Sequence, residues 1–535
     1  MKKQSVTKGF AILSIAGMLA KVFSLIYIPA LINILTDQGY GIYMAAYQIF
    51  TFIFILTNSG IPVAISKLVS ELIATENYKD ALKSFRLARY MLLFLGFAMA
   101  LFTVCASGFL SKRIGYPKAQ LSVLALAPSI LFTSVASAYR GYFQGMGNMT
   151  PTAISQVIEQ LINVIFSLLF AAIFIKYGLE AGCAGGTIGT SLGALASALF
   201  LMYCHKKNGA IKVKDKSNIK DEKYSVVYLM KKIIHYGLPI TLCVGMNSAG
   251  ALIDVYNTKA RLMVAGFNEV NATVLYGYLA KYQQFINVPI AIISSLSMAV
   301  LPVIAGAAAK GDKKQVKSNI NYAFRSCFLI AIPAAVGLGF LADPIYKMLH
   351  IGGGVEIMRY GVIVLVLMAV AQIQTTILQS IGKLYAATLY SLIGICFKIF
   401  TNYLLIAQPN INIKGAIYGS AIGFLVPIIL NHRMIKKSLK VKFNIITPAI
   451  KPSIAAQIMG FIIVPFHNLV SYFIEFLLKR VYIANAIGTL AAVILGVFIY
   501  AYSLILIGGI RKKDLDRMPS KLIKFIPKFV RKRIR

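Results

Sequence analysis

Lysine side chains inside long apolar segments are the residues of this sequence best suited to binding chemistry. Lys21, Lys281 and Lys398 each lie in an apolar run of 20 or more residues. An ammonium group at the centre of a bilayer costs roughly 2.5–3.5 kcal/mol on insertion scales, so such residues usually face a protein interior or a water-filled pathway. Buried cations would bind an anion, and a phosphate or diphosphate group fits that chemistry best.

Two carboxylates also fall in apolar runs. Glu159 lies in "SQVIEQLINV", and Asp254 lies near the end of another run. Both are candidates for a cavity or for coupling to an ion, because proton and cation relays use buried carboxylates. Lys67 and Glu71 are four residues apart near the end of a run and are predicted to pair on one helix face, with the lysine reaching towards water. At mid-depth the cations exceed the carboxylates, which favours an anionic ligand.

The composition indicates a membrane protein. The chain has 535 residues, of which 58% are hydrophobic and 13% are charged, against about 25% charged in soluble proteins. The apolar runs lack the two-residue alternation of a barrel, so they predict an all-α polytopic protein. The net charge of +38 does not predict nucleic-acid binding, because the basic residues lie in short segments between the runs, as in cytoplasmic loops.

The apolar runs predict about fourteen transmembrane helices. Their approximate bounds are 10–35, 41–73, 87–109, 120–143, 152–176, 181–204, 233–256, 272–304, 320–342, 357–382, 384–407, 413–432, 447–470 and 481–508. An even number places both termini on one side. Most of the 55 Lys and Arg residues lie on that side, which predicts cytoplasmic N- and C-termini.

An internal repeat divides the predicted spans. "YGIYMAAYQIF" (40–50) resembles "YGYLAKYQQFI" (276–286), and "FQGMG" (143–147) resembles "LQSIG" (378–382). Six spans per copy predict two parallel six-helix lobes with a cavity that opens alternately to either side. The predicted domains are a first lobe (1–204), a basic linker (205–232), a second lobe (233–437), an extra helix pair (438–508) and a basic amphipathic tail (509–535). The tail is expected to lie on anionic inner-leaflet lipids.

Four prolines fall inside the predicted spans one, two and eight, and spans one and eight carry Lys21 and Lys281. Pro29, Pro62, Pro289 and Pro302 would each remove a helix hydrogen bond, which predicts either a gating hinge or a static kink. The sequence contains no phosphate-binding loop motif and no cluster of metal ligands. We therefore expect no enzyme activity, no cofactor and no metal, and we expect an ion gradient (Na⁺ or H⁺), the membrane potential or the substrate gradient to supply the energy.

Three segments carry a family resemblance. "YRGYFQGMGNMTPTAISQVIEQ" (139–160), "AKVFSLIYIPAL" (20–31) and "GIPVAISKLVSE" (60–71) resemble the stage V sporulation protein B and YtgP-like polysaccharide biosynthesis proteins. These are related to the lipid II flippase MurJ and belong to the multidrug/oligosaccharidyl-lipid/polysaccharide (MOP) flippase superfamily. The resemblance implies a flippase in a bacterial plasma membrane, and we expect a monomer. It would move an undecaprenyl-diphosphate-linked saccharide, lipid II foremost, for peptidoglycan synthesis in the cell wall or spore cortex.

The resemblance also implies roles for particular residues. Lys21 and Lys281 fall where relatives carry arginines in helices one and eight, and Gln284 falls where an acidic partner is expected. Tyr27 replaces a second helix-one arginine, and Asn163 stands where an arginine is often found. The resemblance thus implies a diphosphate site of Lys21, Lys281, Gln284 and Tyr27, and the depth of Lys398 in its apolar run adds that residue to the predicted site.

Two other functions remain open on the sequence. A cation-coupled multidrug exporter of the same superfamily would have an acidic cavity. A non-transporting membrane scaffold would tolerate loss of both Lys21 and Lys281.

Overall fold

The computed structural model describes residues 6–208, 223–441 and 443–509. Within these ranges it leaves out the side chains of residues 6–11, 14, 15, 18, 21, 22, 25, 298, 299, 302 and 309. The Lys21 and Pro302 side chains therefore lie outside the described part, as do most of the predicted linker and nearly all of the predicted tail.

Helices make up almost all of the described residues, and no β-strand occurs among them. The predicted all-α polytopic class is confirmed. The fifteen α-helices of the described ranges are α1 (Val6–Asn58), α2 (Ile61–Ala74), α3 (Tyr78–Arg113), α4 (Gln120–Gly145), α5 (Thr150–Phe174), α6 (Leu179–Asn208), α7 (Val226–Val264), α8 (Glu269–Ala309), α9 (Lys313–Phe340), α10 (Ala342–Leu349), α11 (Val355–Ser380), α12 (Leu384–Leu405), α13 (Lys414–Leu439), α14 (Thr447–Leu478) and α15 (Val481–Leu506).

Twelve stretches of the described residues are long and apolar enough to cross a membrane. One of them, Ile26–Ala74, has 49 residues, more than twice the roughly 20 that a crossing needs. The 41-residue helix α8 is not among the twelve. Fourteen crossings result if α1 crosses on each side of its bend and α8 crosses too, so that number is approximate.

Helix α1 is bent at a single residue. Thr36 has φ 64° and ψ 174°, outside the helical region, with helix on both sides. The predicted gap between the first two spans is thus a one-residue break rather than a loop. Next to it the backbones of α1 and α8 meet, because a β-carbon on Gly277 would lie 2.5 Å from the carbonyl oxygen of Asp37.

Pro62 lies in the first turn of a helix rather than within a long one, so the predicted loss of a helix hydrogen bond does not occur there. The predicted second span is divided: α1 ends at Asn58 and α2 starts at Ile61, with Pro62 in its first turn. A proline there removes no helix hydrogen bond, because first-turn N–H groups have no partner within the helix. The break lies where α7 approaches most closely, since a β-carbon at Gly60 would collide with the carbonyl oxygen of Gly237.

The chain forms two compact units, residues 1–280 with 402–413 and residues 281–401 with 414–535. The first unit contains α7 and the start of α8 as well as α1–α6. The two units are defined by which parts of the chain pack together, whereas the predicted lobes are defined by a sequence repeat. The lobe boundaries therefore stay a prediction.

Two glycines of the 139–160 segment allow α2 and α4 to pack closely in the first unit. A β-carbon at Gly141 would lie 2.6 Å from the carbonyl oxygen of Pro62, and one at Gly145 would lie 2.8 Å from that of Ser66. Both distances are too short for any side chain. The two glycines, four residues apart, therefore let the backbones of α2 and α4 approach closely at these two points.

Candidate functional site

Helix α5 has a polar stripe in an otherwise apolar sequence. Ser155, Glu159, Asn163 and Ser167 recur at intervals of four residues and so lie on one face. Another face is apolar and exposed, with the side chains of Ile154, Leu161, Ile165, Leu169 and Ile173. Since lipid offers no hydrogen bonds, the apolar face lies against lipid and the polar stripe faces the interior of the first unit.

Arg140 of α4 joins three helices in this interior. Its Nη2 donates hydrogen bonds to Glu159 Oε2 of α5 at 2.6 Å and to Ser197 Oγ of α6 at 2.8 Å. Its Nε donates to Ser155 Oγ at 3.0 Å. The Arg140 and Glu159 side chains are 15% and 28% exposed, so the ion pair borders a space that protein does not fill.

The Arg140–Glu159 pair lies in the part of the spans nearer the loop 146–149. Arg140 is five residues before the end of α4, and Glu159 is nine residues after the start of α5. At 1.5 Å per residue, the two positions are roughly 8 and 14 Å from that loop along their helices. The predicted orientation places this loop on the cytoplasmic side.

The same part of α5 contacts the helix that carries Lys21. Gln160 Nε2 donates to Ser24 Oγ of α1 at 3.2 Å. Lys21 precedes Ser24 by three residues on the helix, so both positions lie on the same face. The α1 face of Lys21 therefore meets α5 beside Glu159, although the ammonium itself lies outside the described side chains.

Tyr27, predicted as a substrate contact, belongs to a buried hydroxyl network. Its hydroxyl lies 2.6 Å from that of Tyr43, across the bend of α1. Tyr47, one turn further on, hydrogen-bonds Thr190 of α6, which donates to Asn163 Oδ1 of α5 at 3.2 Å. In this conformation Tyr27 is buried and its hydroxyl joins the two sides of the bend, and its role in binding stays a prediction.

Lys281 is fully buried in the second unit. Its Nζ donates to the carbonyl oxygens of Ile351 at 2.6 Å and Gly353 at 2.8 Å, and it lies 5.9 Å from the ring centre of Tyr346. The acceptors belong to the glycine turn between α10 and α11, which has left-handed backbone angles at Gly352 and Gly354. The ammonium is therefore sequestered by backbone carbonyls in this conformation, and its binding of a diphosphate stays a prediction.

The remaining predicted polar residues have these positions. Asp254 of α7 is buried in the first unit and accepts a hydrogen bond from Asn402. Lys398 of α12 is half-buried in the second unit and packs against Gly423 of α13. Gln284 is half-buried on α8, one turn after Lys281. Their roles as ligands or coupling residues stay predictions.

Among the predicted hinges, Pro29 is buried inside α1, seven residues before the Thr36 bend. Pro289 lies half-buried inside α8. A gating role stays a prediction for both, as it does for Pro62 at its helix start and for Pro302.

A cavity of about 710 Å³ lies within the second unit, between α9, α11 and α14. Its lining is mostly apolar, with Arg359, Ser453 and Gln457 as the polar side chains. On α14 the lining extends from Ala449 to Val464, which is about 22 Å of helix at 1.5 Å per residue. The cavity is thus a long apolar groove, suited to an extended hydrocarbon chain.

Sequence reasoning missed Arg140. It lies three residues before the end of the predicted span 120–143, and no local pattern singles it out. The four-residue interval of Ser155, Glu159 and Asn163 was the available signal, because it predicts a polar interior in which a carboxylate needs a cationic partner.

The all-helical fold is that of transporters of the MOP superfamily. A multidrug resistance MATE family transporter, solved in an inward-facing conformation, aligns with a TM-score of 0.61 and 16% identity over 82% of this chain and 96% of that chain. A MOP superfamily transporter from Pyrococcus furiosus Vc1, reported with reverse polarity of its binding pocket, aligns with a TM-score of 0.59 and 17% identity over 82% and 98%.

The family model described as polysaccharide biosynthesis protein matches residues 6–308, more than half of the chain. This chain therefore belongs to the polysaccharide biosynthesis protein family. Stage V sporulation protein B of Bacillus subtilis (strain 168) is 29% identical over 533 residues, 97% of this chain and 98% of that protein. Lipid II flippase MurJ of the same organism is 23% identical over 539 residues, 96% and 97% of the two chains. The family resemblance predicted from the sequence is confirmed.

Proposed function

We propose that this protein is a flippase for an undecaprenyl-diphosphate-linked saccharide, with lipid II as the first candidate, in a bacterial plasma membrane. The single observation that supports this most strongly is the apolar groove in the second unit. About 22 Å of α14 lines it, and a polyprenyl chain is long, apolar and flexible enough to lie along that length. A soluble sugar substrate would have no use for such a groove.

The headgroup requires a different environment. A saccharide and a diphosphate need polar and cationic partners. The first unit offers such partners in Arg140 and the polar stripe of α5, and the second unit offers one in Lys281. Glu159 is paired with Arg140, so its charge does not neutralise the lysines. The cation excess expected from the sequence is therefore kept, and it favours an anionic substrate over a cationic drug.

Lys281 would exchange partners during transport. Two carbonyls of the Ile351–Gly353 turn hold its ammonium in this conformation. A diphosphate would replace them in a conformation that opens this region, since a charged oxygen is a stronger acceptor than a carbonyl. Alternating access to the two sides would then carry the headgroup across while the tail stays in the groove.

Photo-crosslinking tests the assignment of the groove. The purified full-length protein, in nanodiscs, is irradiated with undecaprenyl diphosphate that carries a photoreactive group on its chain. We expect labelled peptides from α9, α11 and α14, competition by lipid II, and loss of labelling in Val362→Trp. The matched control is Leu169→Trp on the lipid face of α5, which should leave labelling unchanged. Labelling spread evenly over lipid-facing helices, without competition, would contradict the proposal.

Experiments on the same protein distinguish the two alternative functions, drug export and scaffolding, from the proposed one. A multidrug exporter would confer drug resistance that depends on Asp254 and would not respond to lipid II. A scaffold would show no specific labelling of the groove and no effect of replacing the lysines.

A further inference from the structure

The ion pair between Arg140 and Glu159 is built asymmetrically. The guanidinium is held by three acceptors, the carboxylate of Glu159 and the hydroxyls of Ser155 and Ser197. The carboxylate contacts the guanidinium through Oε2 alone. Loss of the carboxylate would therefore leave Arg140 in place, because two serines on two different helices still hold it.

The pair also has access to water. Both side chains keep exposed surface, although they lie roughly 8 and 14 Å into their helices. Charged groups at this depth against lipid would be costly, so their exposed surface faces a water-filled space. The polar stripe of α5 and the exposed apolar face of the same helix assign that space to the interior of the first unit.

We propose that Arg140 is a further diphosphate-binding residue and that Glu159 is the internal anion that occupies it in the absence of substrate. The proposal rests on the flippase function proposed above. A phosphate oxygen of the substrate replaces the Glu159 carboxylate on the guanidinium, whose planar fork matches phosphate geometry. The return of the carboxylate displaces the diphosphate, so the pair binds the headgroup reversibly.

The position on the chain supports an early role in transport. Gln160, next to Glu159, contacts Ser24, and the Lys21 position lies on that same face of α1. The Arg140–Glu159 pair therefore lies at the level of α5 that contacts α1 near Lys21, and the predicted orientation places this level in the half of the membrane nearer the cytoplasm. Without Glu159, the guanidinium would carry an uncompensated charge whenever the site is empty, which is costly in a protein interior.

Equilibrium titration of undecaprenyl diphosphate onto the full-length protein in nanodiscs tests this, with undecaprenol as the neutral probe. Arg140→Gln should weaken binding about ten- to a hundredfold, because a hydrogen bond to a charged group is lost. Glu159→Gln should tighten binding at least about threefold, because the competing anion is removed. The double variant should bind like Arg140→Gln, undecaprenol binding should stay unchanged, and Arg113→Gln is the control for loss of a surface arginine.

A purely structural ion pair gives a different pattern. Both single variants would then weaken binding and lower the unfolding temperature, and the double variant would recover both. That pattern, or equal binding by all variants, overturns the inference and leaves the flippase proposal standing. Absence of binding by the unmodified protein defeats both. If Arg140→Gln does not fold, Arg140→Lys keeps the charge without the fork and should bind more weakly than the unmodified protein. Equal binding by Arg140→Lys and the unmodified protein would then overturn the inference.

Discussion

Lys281 Nζ lies 2.8 Å from the carbonyl oxygen of Gly353, and this contact closes the turn between α10 and α11 over a fully buried ammonium group. A buried cation held by carbonyls is stable only while the turn stays in place. Any state in which Lys281 binds substrate must therefore move this turn.

Removal of the Lys281 ammonium should destabilise the protein as well as impair transport. Lys281→Met leaves the carbonyls of Ile351 and Gly353 without their donor, at a cost of about 1–3 kcal/mol. Thermal unfolding of the purified protein measures this loss. Lys347→Met, at an exposed lysine of α10 that pairs only at the surface with Asp343, should change stability by less than about 1 kcal/mol. Equal stability of Lys281→Met and the unmodified protein would contradict the buried contact.

The tyrosine pair across the α1 bend should contribute to stability. Tyr27→Phe leaves the Tyr43 hydroxyl without this partner in a buried site, and we expect a loss of about 1–2 kcal/mol. Adding Tyr43→Phe should cost less than a second loss of that size, because the two hydroxyls act on each other. Denaturation of the single and double variants gives the coupling, with the exposed Tyr177→Phe as control. Strict additivity would show that the pair does not stabilise the bend.

The α2–α4 contact should reject any side chain at Gly141. Gly141→Val forces atoms into the space occupied by the Pro62 carbonyl, with an expected loss of about 1–3 kcal/mol or more from overpacking. Gly306→Val is the matched control, since a β-carbon there meets no atom within 4 Å. Comparable unfolding temperatures for the two variants would mean that the helices separate easily at this point.

The ion pair between Lys259 and Glu269 should give the stability an acid-dependent component. Its Nζ–Oε1 distance is 2.9 Å, and the hydrogen bond from Lys259, followed by its charge, lowers the pKa of Glu269 below its ordinary value. A lowered pKa means that the stabilisation is present above the ordinary glutamate pKa of about 4.3 and is lost as the pH falls through the folded-state value.

Melting temperatures measured between about pH 6 and pH 3 test whether stability falls on acidification, because this range brackets the ordinary glutamate pKa. The unmodified protein should lose more stability on acidification than Glu269→Gln. Glu475→Gln serves as control because Glu475 is exposed and has no ion pair within the described residues. A Glu269→Gln variant with the same acid sensitivity as the unmodified protein would contradict the effect of Lys259.

The all-α membrane class and one ion pair could be predicted from the sequence alone. Long apolar runs required helices, and a carboxylate at Glu159 in such a run required a polar interior. The pairing of Lys67 with Glu71 was predicted, and the two groups lie 3.9 Å apart, but Lys232 of α7 is closer to Glu71 at 3.0 Å. Local spacing predicted the partner on the same helix and gave no information on the partner from another.

The missed contacts depend on residues distant in the sequence. The acceptors of Lys281 lie 70 and 72 positions further along the chain, and no local pattern connects them. Helix ends were also predicted poorly: Pro62 resembled a hinge within one long span, whereas the helix is interrupted at Ser59 and Gly60, beside Gly237 of α7. Arg140 was missed because its depth depends on where α4 ends and its partners lie on α5 and α6.

Transbilayer movement of lipid II in proteoliposomes is the most direct test of the proposed function. Lipid II labelled on its headgroup is incorporated with the purified protein, and the fraction accessible to a membrane-impermeant quencher is followed with time. We expect rapid equilibration between leaflets with the unmodified protein and with the exposed-site control Lys176→Ala, and a strong decrease with Lys21→Ala combined with Lys281→Ala. Unchanged equilibration in the double lysine variant, or none with the unmodified protein, would contradict a flippase that holds its diphosphate with buried cations.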